Sequence, residues 1–96
     1  MMTRQEILKR LEEVRNDLFQ RYPLTALGLF GSYARENQND ESNIDIIVEF
    51  SQPVGFEIVD LAIELESTLG ASVDLVSRNG IRDRILAHIE KQIIYV

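Results

Sequence analysis

Ile44, Ile46, Val48 and Phe50 alternate with Asn43, Asp45, Ile47 and Glu49. A period of two over eight residues specifies a β-strand, with four apolar side chains on one face and a polar start, Asn43 and Asp45, on the other. The apolar face needs helices to cover it. The other face starts with a polar site.

The rest of the chain supplies the cover. Thr3-Arg4-Gln5-Glu6 has the form of a capping box, in which hydroxyl and carboxylate satisfy the first free N–H groups of a helix. Ile7, Leu11, Val14 and Leu18 then recur at helical spacing to about residue 20, and Pro23 bars continuation. Leu24 to Phe30 reads as a buried strand, with Gly28 and Gly31 marking a close approach or a sharp turn. Residues 33–42, YARENQNDES, predict a short helical turn leading into an exposed loop. After Pro53 and Gly55 a second helix is expected over roughly 56–69, its apolar stripe formed by Phe56, Val59, Ile63 and Leu69 and its stop by Gly70. The segment SVDLVS predicts a strand that Asp74 interrupts. Asn79-Gly80 marks a turn, a helix with Ile81, Ile85 and Ile89 follows, and IIYV ends the chain as a short strand. The order is helix, strand, turn, strand, helix, strand, helix, strand. It predicts one α/β domain over residues 1–96, a small mixed sheet with helices mainly on one face.

Composition narrows the function. Sixteen acidic against ten basic residues give a formal charge of −6, which disfavours a long polynucleotide backbone as ligand but leaves room for a small phosphate held by local charges or a metal. There is no cysteine, hence no thiolate nucleophile and no disulfide framework. Arg4, Glu6, Lys9 and Arg10 stand where a signal peptide would need apolar residues, so a soluble, cytoplasmic protein without a membrane segment is expected.

If the strands carrying Asn43 and Asp74 are neighbours, Asn43, Asp45 and Asp74 converge on the face away from the helices. Oxygen ligands so placed suit Mg²⁺, which takes a few carboxylates, retained waters and substrate phosphate oxygens. Gly31-Ser32, at a strand-to-helix turn, adds backbone N–H groups and a hydroxyl near a phosphate. The combination points to metal-assisted phosphoryl or nucleotidyl transfer. Taken singly, each part is ordinary: Gly31-Ser32 as a turn, Asp45 as an edge residue, Asp74 as a cap or an arginine partner. Arg35 can reach a phosphate or pair with Glu36, the pairing being the expected state. Arg78, Arg82 and Arg84 read as solvated surface with one of them within reach of a triphosphate, and His88, lacking a nearby nucleophile, as surface.

GSYAR followed by SNIDIIVEF resembles the Gly-Ser, ten residues, Asp-x-Asp signature of the DNA polymerase β-like nucleotidyltransferases, and SVDLVS resembles the strand with their third carboxylate. The likeness covers roughly residues 24–96, including the ending IRDRILAHIEKQIIYV found in the minimal nucleotidyltransferases, the antitoxins of HEPN/MNT toxin–antitoxin pairs. It implies the polymerase β-like fold and transfer of AMP from ATP to a tyrosine of a HEPN-domain toxin RNase, within a hetero-oligomer. Gly31, Ser32 and Arg35 would bind the nucleotide. Asp45 and Asp74 would hold metal, two Mg²⁺ ions in an intact site, and Asp74 would help to activate the acceptor hydroxyl.

Two positions depart from the pattern. Glu36 stands where many members have glycine, and Asn43 stands where they have the first aspartate of Asp-x-Asp. An amide keeps one oxygen able to coordinate but brings no charge and does not bridge two ions as a carboxylate does, so metal affinity and activity should fall by at least ~10- to 100-fold. An engineered inactivation, an antitoxin that acts by binding alone, and a weakened working site all fit Asn43. A small-molecule nucleotidyltransferase is a further alternative, but 96 residues leave little protein for an acceptor pocket.

Overall fold

A computed structural model describes residues 2–96. Helix α1 (Arg4–Arg21) leads into strand β1 (Leu24–Phe30), followed by the short helix α2 (Gly31–Arg35) and strand β2 (Ile44–Phe50). Then come helix α3 (Glu57–Leu69), strand β3 (Val73–Ser77), helix α4 (Asp83–Ile89) and strand β4 (Ile94–Tyr95). The mixed sheet has the order β3-β2-β1-β4, with β2 parallel to β3 and β1 antiparallel to both β2 and β4.

Local chemistry sets the ends of these elements. The Thr3 hydroxyl accepts from the Glu6 N–H at 3.1 Å, and Glu6 returns the bond to the Thr3 N–H at 3.3 Å, so the expected capping box forms. Gly70 closes α3 in the left-handed region, φ +68°, which a side chain would resist. Gly28 lets the C-terminal strand approach: a Cβ there would lie 2.7 Å from Ile93 Cγ2. The Val96 N–H donates to the Leu27 carbonyl at 3.0 Å and Arg15 Nε to the Val96 carbonyl at 3.1 Å, so α1 and β1 both hold the last residue.

The apolar face of β2 is buried as its alternation predicts. Ile44, Ile46, Val48 and Phe50 pack with Leu27 and Leu29 of β1, Ile7, Leu11 and Leu18 of α1, and Leu61, Leu65 and Leu69 of α3. Ile47 is also buried although it points to the other face, where Gly28 and Val76 are its register partners.

Helix α3 corrects the expected stripe. Its buried side is Leu61, Leu65 and Leu69, whereas Phe56, Val59 and Ile63 are 85%, 51% and 58% exposed. Two apolar stripes run along this helix nearly opposite one another, and periodicity marks both without saying which one meets the sheet. The helix expected around Ile81, Ile85 and Ile89 departs as well: α4 starts only at Asp83, has no buried residue, and leaves Ile85 53% exposed. No described helix is long and apolar enough to cross a membrane.

Candidate active site

The turn from β1 into α2 brings Gly31 against β2. Gly31 has φ +74°, and a Cβ built on it would lie 2.0 Å from Asp45 Oδ2. The Asp45 carboxylate thus occupies the space a side chain at 31 would need. Glycine is required twice over, by the backbone conformation and by the carboxylate pressed against it.

The register of the sheet brings the two carboxylates side by side. Asp45 pairs with Asp74 across the parallel β2–β3 ladder and with Phe30 across the antiparallel β1–β2 ladder, so all three side chains share the face opposite the helical core. Asn43 stands just ahead of β2, and its Nδ2 donates to Asp74 Oδ2 at 3.2 Å. Burial pushes the Asp45 carboxyl above the ordinary aspartate range, the neighbouring Asp74 charge pushes it further, and Arg35 opposes the shift. Two carboxylates on adjacent strands, one of them half-buried, form a pocket of negative charge.

Such a pair fits a divalent cation in charge and in donor type. Asn43 changes the fit, because the amide satisfies one Asp74 oxygen with a hydrogen bond where a third carboxylate would add a ligand. Among the described residues no three His, Cys, Asp or Glu side chains are grouped to hold a metal ion. The position that would complete such a group is the amide.

The arginines are placed differently from expectation. Arg35 does not pair with Glu36; its Nη1 donates to Gln92 Oε1 at 2.8 Å, while Glu36 meets Arg4 at 3.0 Å. The reason is conformational: Glu36 ends α2 in the left-handed region, φ +60°, which turns its side chain toward the start of α1. That conformation also gives glycine, the residue expected at this position, a physical rationale. Arg78 is a structural clamp, bonded to Glu90 at 3.0 Å and to the Tyr95 hydroxyl at 2.9 Å, with Glu49 at 3.8 Å. Arg82, Arg84 and His88 are exposed on or beside α4.

Beside the carboxylates runs an open apolar groove of about 410 Å³, lined by Phe30, Val76, Ile81, Arg82, Ile85 and Ile89. Sequence reasoning missed it. Its signal was available in part, since Val76 follows Asp74 by two residues and must share its face, but only the tertiary fold returns α4 alongside. A second hollow of about 500 Å³ lies at the other end of β2, where the Asn79 side chain bonds both the N–H and the carbonyl of Phe50. No charged side chain lines it.

Fold and match agree on the class: the chain belongs to the Polymerase beta nucleotidyltransferase family, whose model matches residues 12–96. Among its relatives, the protein adenylyltransferase MntA of Thermococcus cleftensis is 32% identical over 97 residues, covering 100% of this chain and 98% of that one. A crystal structure of a toxin–antitoxin with AMP-PNP superposes with TM-score 0.71 at 26% identity, over 98% of this chain and 72% of that chain. A tri-AMPylated Shewanella oneidensis HEPN toxin in complex with its MNT antitoxin gives TM-score 0.70 at 24% identity, over 93% and 70% of the two chains, a likeness of fold.

Proposed function

We propose that this chain is a minimal nucleotidyltransferase antitoxin that transfers AMP from Mg·ATP to a tyrosine hydroxyl of a HEPN-type toxin, at a rate lowered by Asn43. The observation that carries the reading is the in-register pair Asp45 and Asp74 with Gly31 packed against Asp45. Family membership, the adenylyltransferase relative and the likeness to a nucleotide-bound toxin–antitoxin support it.

In this reading Asp45 and Asp74 would hold Mg²⁺, which would supply charge neutralisation on the triphosphate and ease deprotonation of the acceptor hydroxyl. Gly31 and Ser32, at the start of α2, face the phosphates with backbone N–H groups and the Ser32 hydroxyl, and Arg35 adds positive charge after releasing Gln92. The tyrosine oxygen attacks the α-phosphorus, and the bond from that phosphorus to the bridging oxygen breaks. AMP remains on the tyrosine and pyrophosphate leaves. Asp74 takes up the phenolic proton. Oδ2 of Asp74 already accepts from Asn43, so metal binding and proton uptake would both fall to its other oxygen, a further reason for a lowered rate.

That hydrogen bond also favours a second reading, an antitoxin that inhibits by covering its partner, because it gives one Asp74 oxygen a partner without any ion. The two readings separate in one experiment: labelled AMP transfer from Mg·ATP to a HEPN-type toxin chain by the wild type, Asn43→Asp and Asp74→Ala. Transfer should be weak in the wild type, rise ~10- to 100-fold in Asn43→Asp and vanish in Asp74→Ala. Retained transfer in Asp74→Ala overturns the assignment. No transfer in any of the three, with toxin binding intact, gives the binding reading.

A further inference from the structure

The outward face of α3 has no role in the site. Phe56, Val59 and Ile63 lie along one side of the helix, spanning about 10 Å, and are three of the exposed large apolar side chains of the described residues. They stand on the helical layer, on the opposite side of the sheet from Asp45 and Asp74. The apolar stripe is bordered by acids: α3 carries Glu57, Asp60 and Glu66, with Glu64 already paired to Arg21 of α1 at 2.7 Å, and has no basic residue of its own.

We infer that this face is a docking surface for a protein partner whose apolar patch is edged with lysine or arginine, the toxin chain of the reading above. The inference rests on that reading for the partner and on the geometry for the surface. Charge complementarity selects the occupant. A second copy of this chain, docked about a twofold axis, would set α3 against α3 and place acids beside acids, which costs affinity and slows encounter. A basic rim does the reverse, while the aromatic Phe56 and the two β-branched residues supply the water-excluded centre that anchors such interfaces. Because the sheet separates this surface from the carboxylates, a partner held here is bound independently of nucleotide. Binding and transfer are then separable properties of one small chain.

The test measures the affinity of the purified chain for an immobilised HEPN-type toxin chain without ATP, at low and high salt, beside the AMP-transfer assay. A Val59→Ser/Ile63→Ser double variant should lose roughly tenfold or more in affinity, with far-UV circular dichroism unchanged and melting little altered, because both side chains lie outside the buried core. Asp60→Lys should weaken binding and flatten its salt dependence, and Asp74→Ala should leave the affinity as it was. Unchanged affinity in the double variant overturns the inference. So does a wild type that does not bind, or that forms a dimer which the double variant abolishes. Transfer that survives without this binding leaves the enzymatic reading standing; binding that depends on this face without transfer leaves the surface standing and removes the enzyme.

Discussion

The two faces of β2 were written by one alternation and carry opposite tasks. On the core side, Ile44, Ile46 and Val48 are fully buried and packed between two helices, so every methyl group contributes to stability. On the other side, Asp45 is half-buried beside a like charge, a placement that raises its carboxyl and disfavours folding. The difference teaches where to look for function in so small a chain. Packing follows the hydrophobic rules on one side, and the candidate site lies where the same strand departs from them.

Substitutions can break this contrast. The largest effect should come from the core side: Ile46→Ala, in a fully buried position, should cost ~2–5 kcal/mol by urea unfolding. A loss below about 1 kcal/mol would mean that the site face carries more of the stability than its packing indicates. Gly31→Ala should come next, at about 2–3 kcal/mol, since it strains a φ of +74° and displaces the Asp45 carboxylate. It should also abolish transfer, and an active, stable Gly31→Ala protein would remove glycine from the site's requirements.

Asn43→Asp sharpens the comparison by adding a third carboxylate. In chelator the variant should melt below the wild type, and Mg²⁺ should raise its melting temperature more than that of the wild type, because an ion that binds only the folded state stabilises it. Equal response in the two proteins would show that position 43 is not a ligand.

The smallest effect should be Asp45→Asn, a stabilisation of about 0.5–1 kcal/mol near neutral pH in metal-free buffer. The sign follows from the raised carboxyl. The folded chain keeps the Asp45 proton to higher pH than the unfolded chain, so stability falls as pH rises above the ordinary aspartate range through the folded pKa. The gain from asparagine should therefore shrink as pH falls through that same window. A gain independent of pH would place its origin in packing.

Much of the fold was legible because several of its signals are local. The capping box at Thr3, the stop at Gly70 and the alternation over residues 43–50 involve neighbours in the chain, and each appears where it was expected. The stripe of α3 was misassigned for the same reason: Phe56, Val59 and Ile63 have helical spacing as good as that of Leu61, Leu65 and Leu69, and hydrophobicity alone does not say which side meets the sheet. Arg35 was expected beside Glu36 because proximity in sequence was the only guide, and the left-handed backbone at Glu36 sent the two to different partners.

By itself the sequence determined which elements form and which residues bear charge or an apolar surface, since propensity, capping and period act over a few residues. The tertiary structure decided what those residues meet. That Asp45 lies beside Asp74 depends on a parallel register between strands almost thirty residues apart, that Asp45 presses on Gly31 depends on an antiparallel one, and that the apolar groove opens next to both depends on the return of α4. Contacts of that kind are selected by the packing of the whole core, so no local stretch contains them.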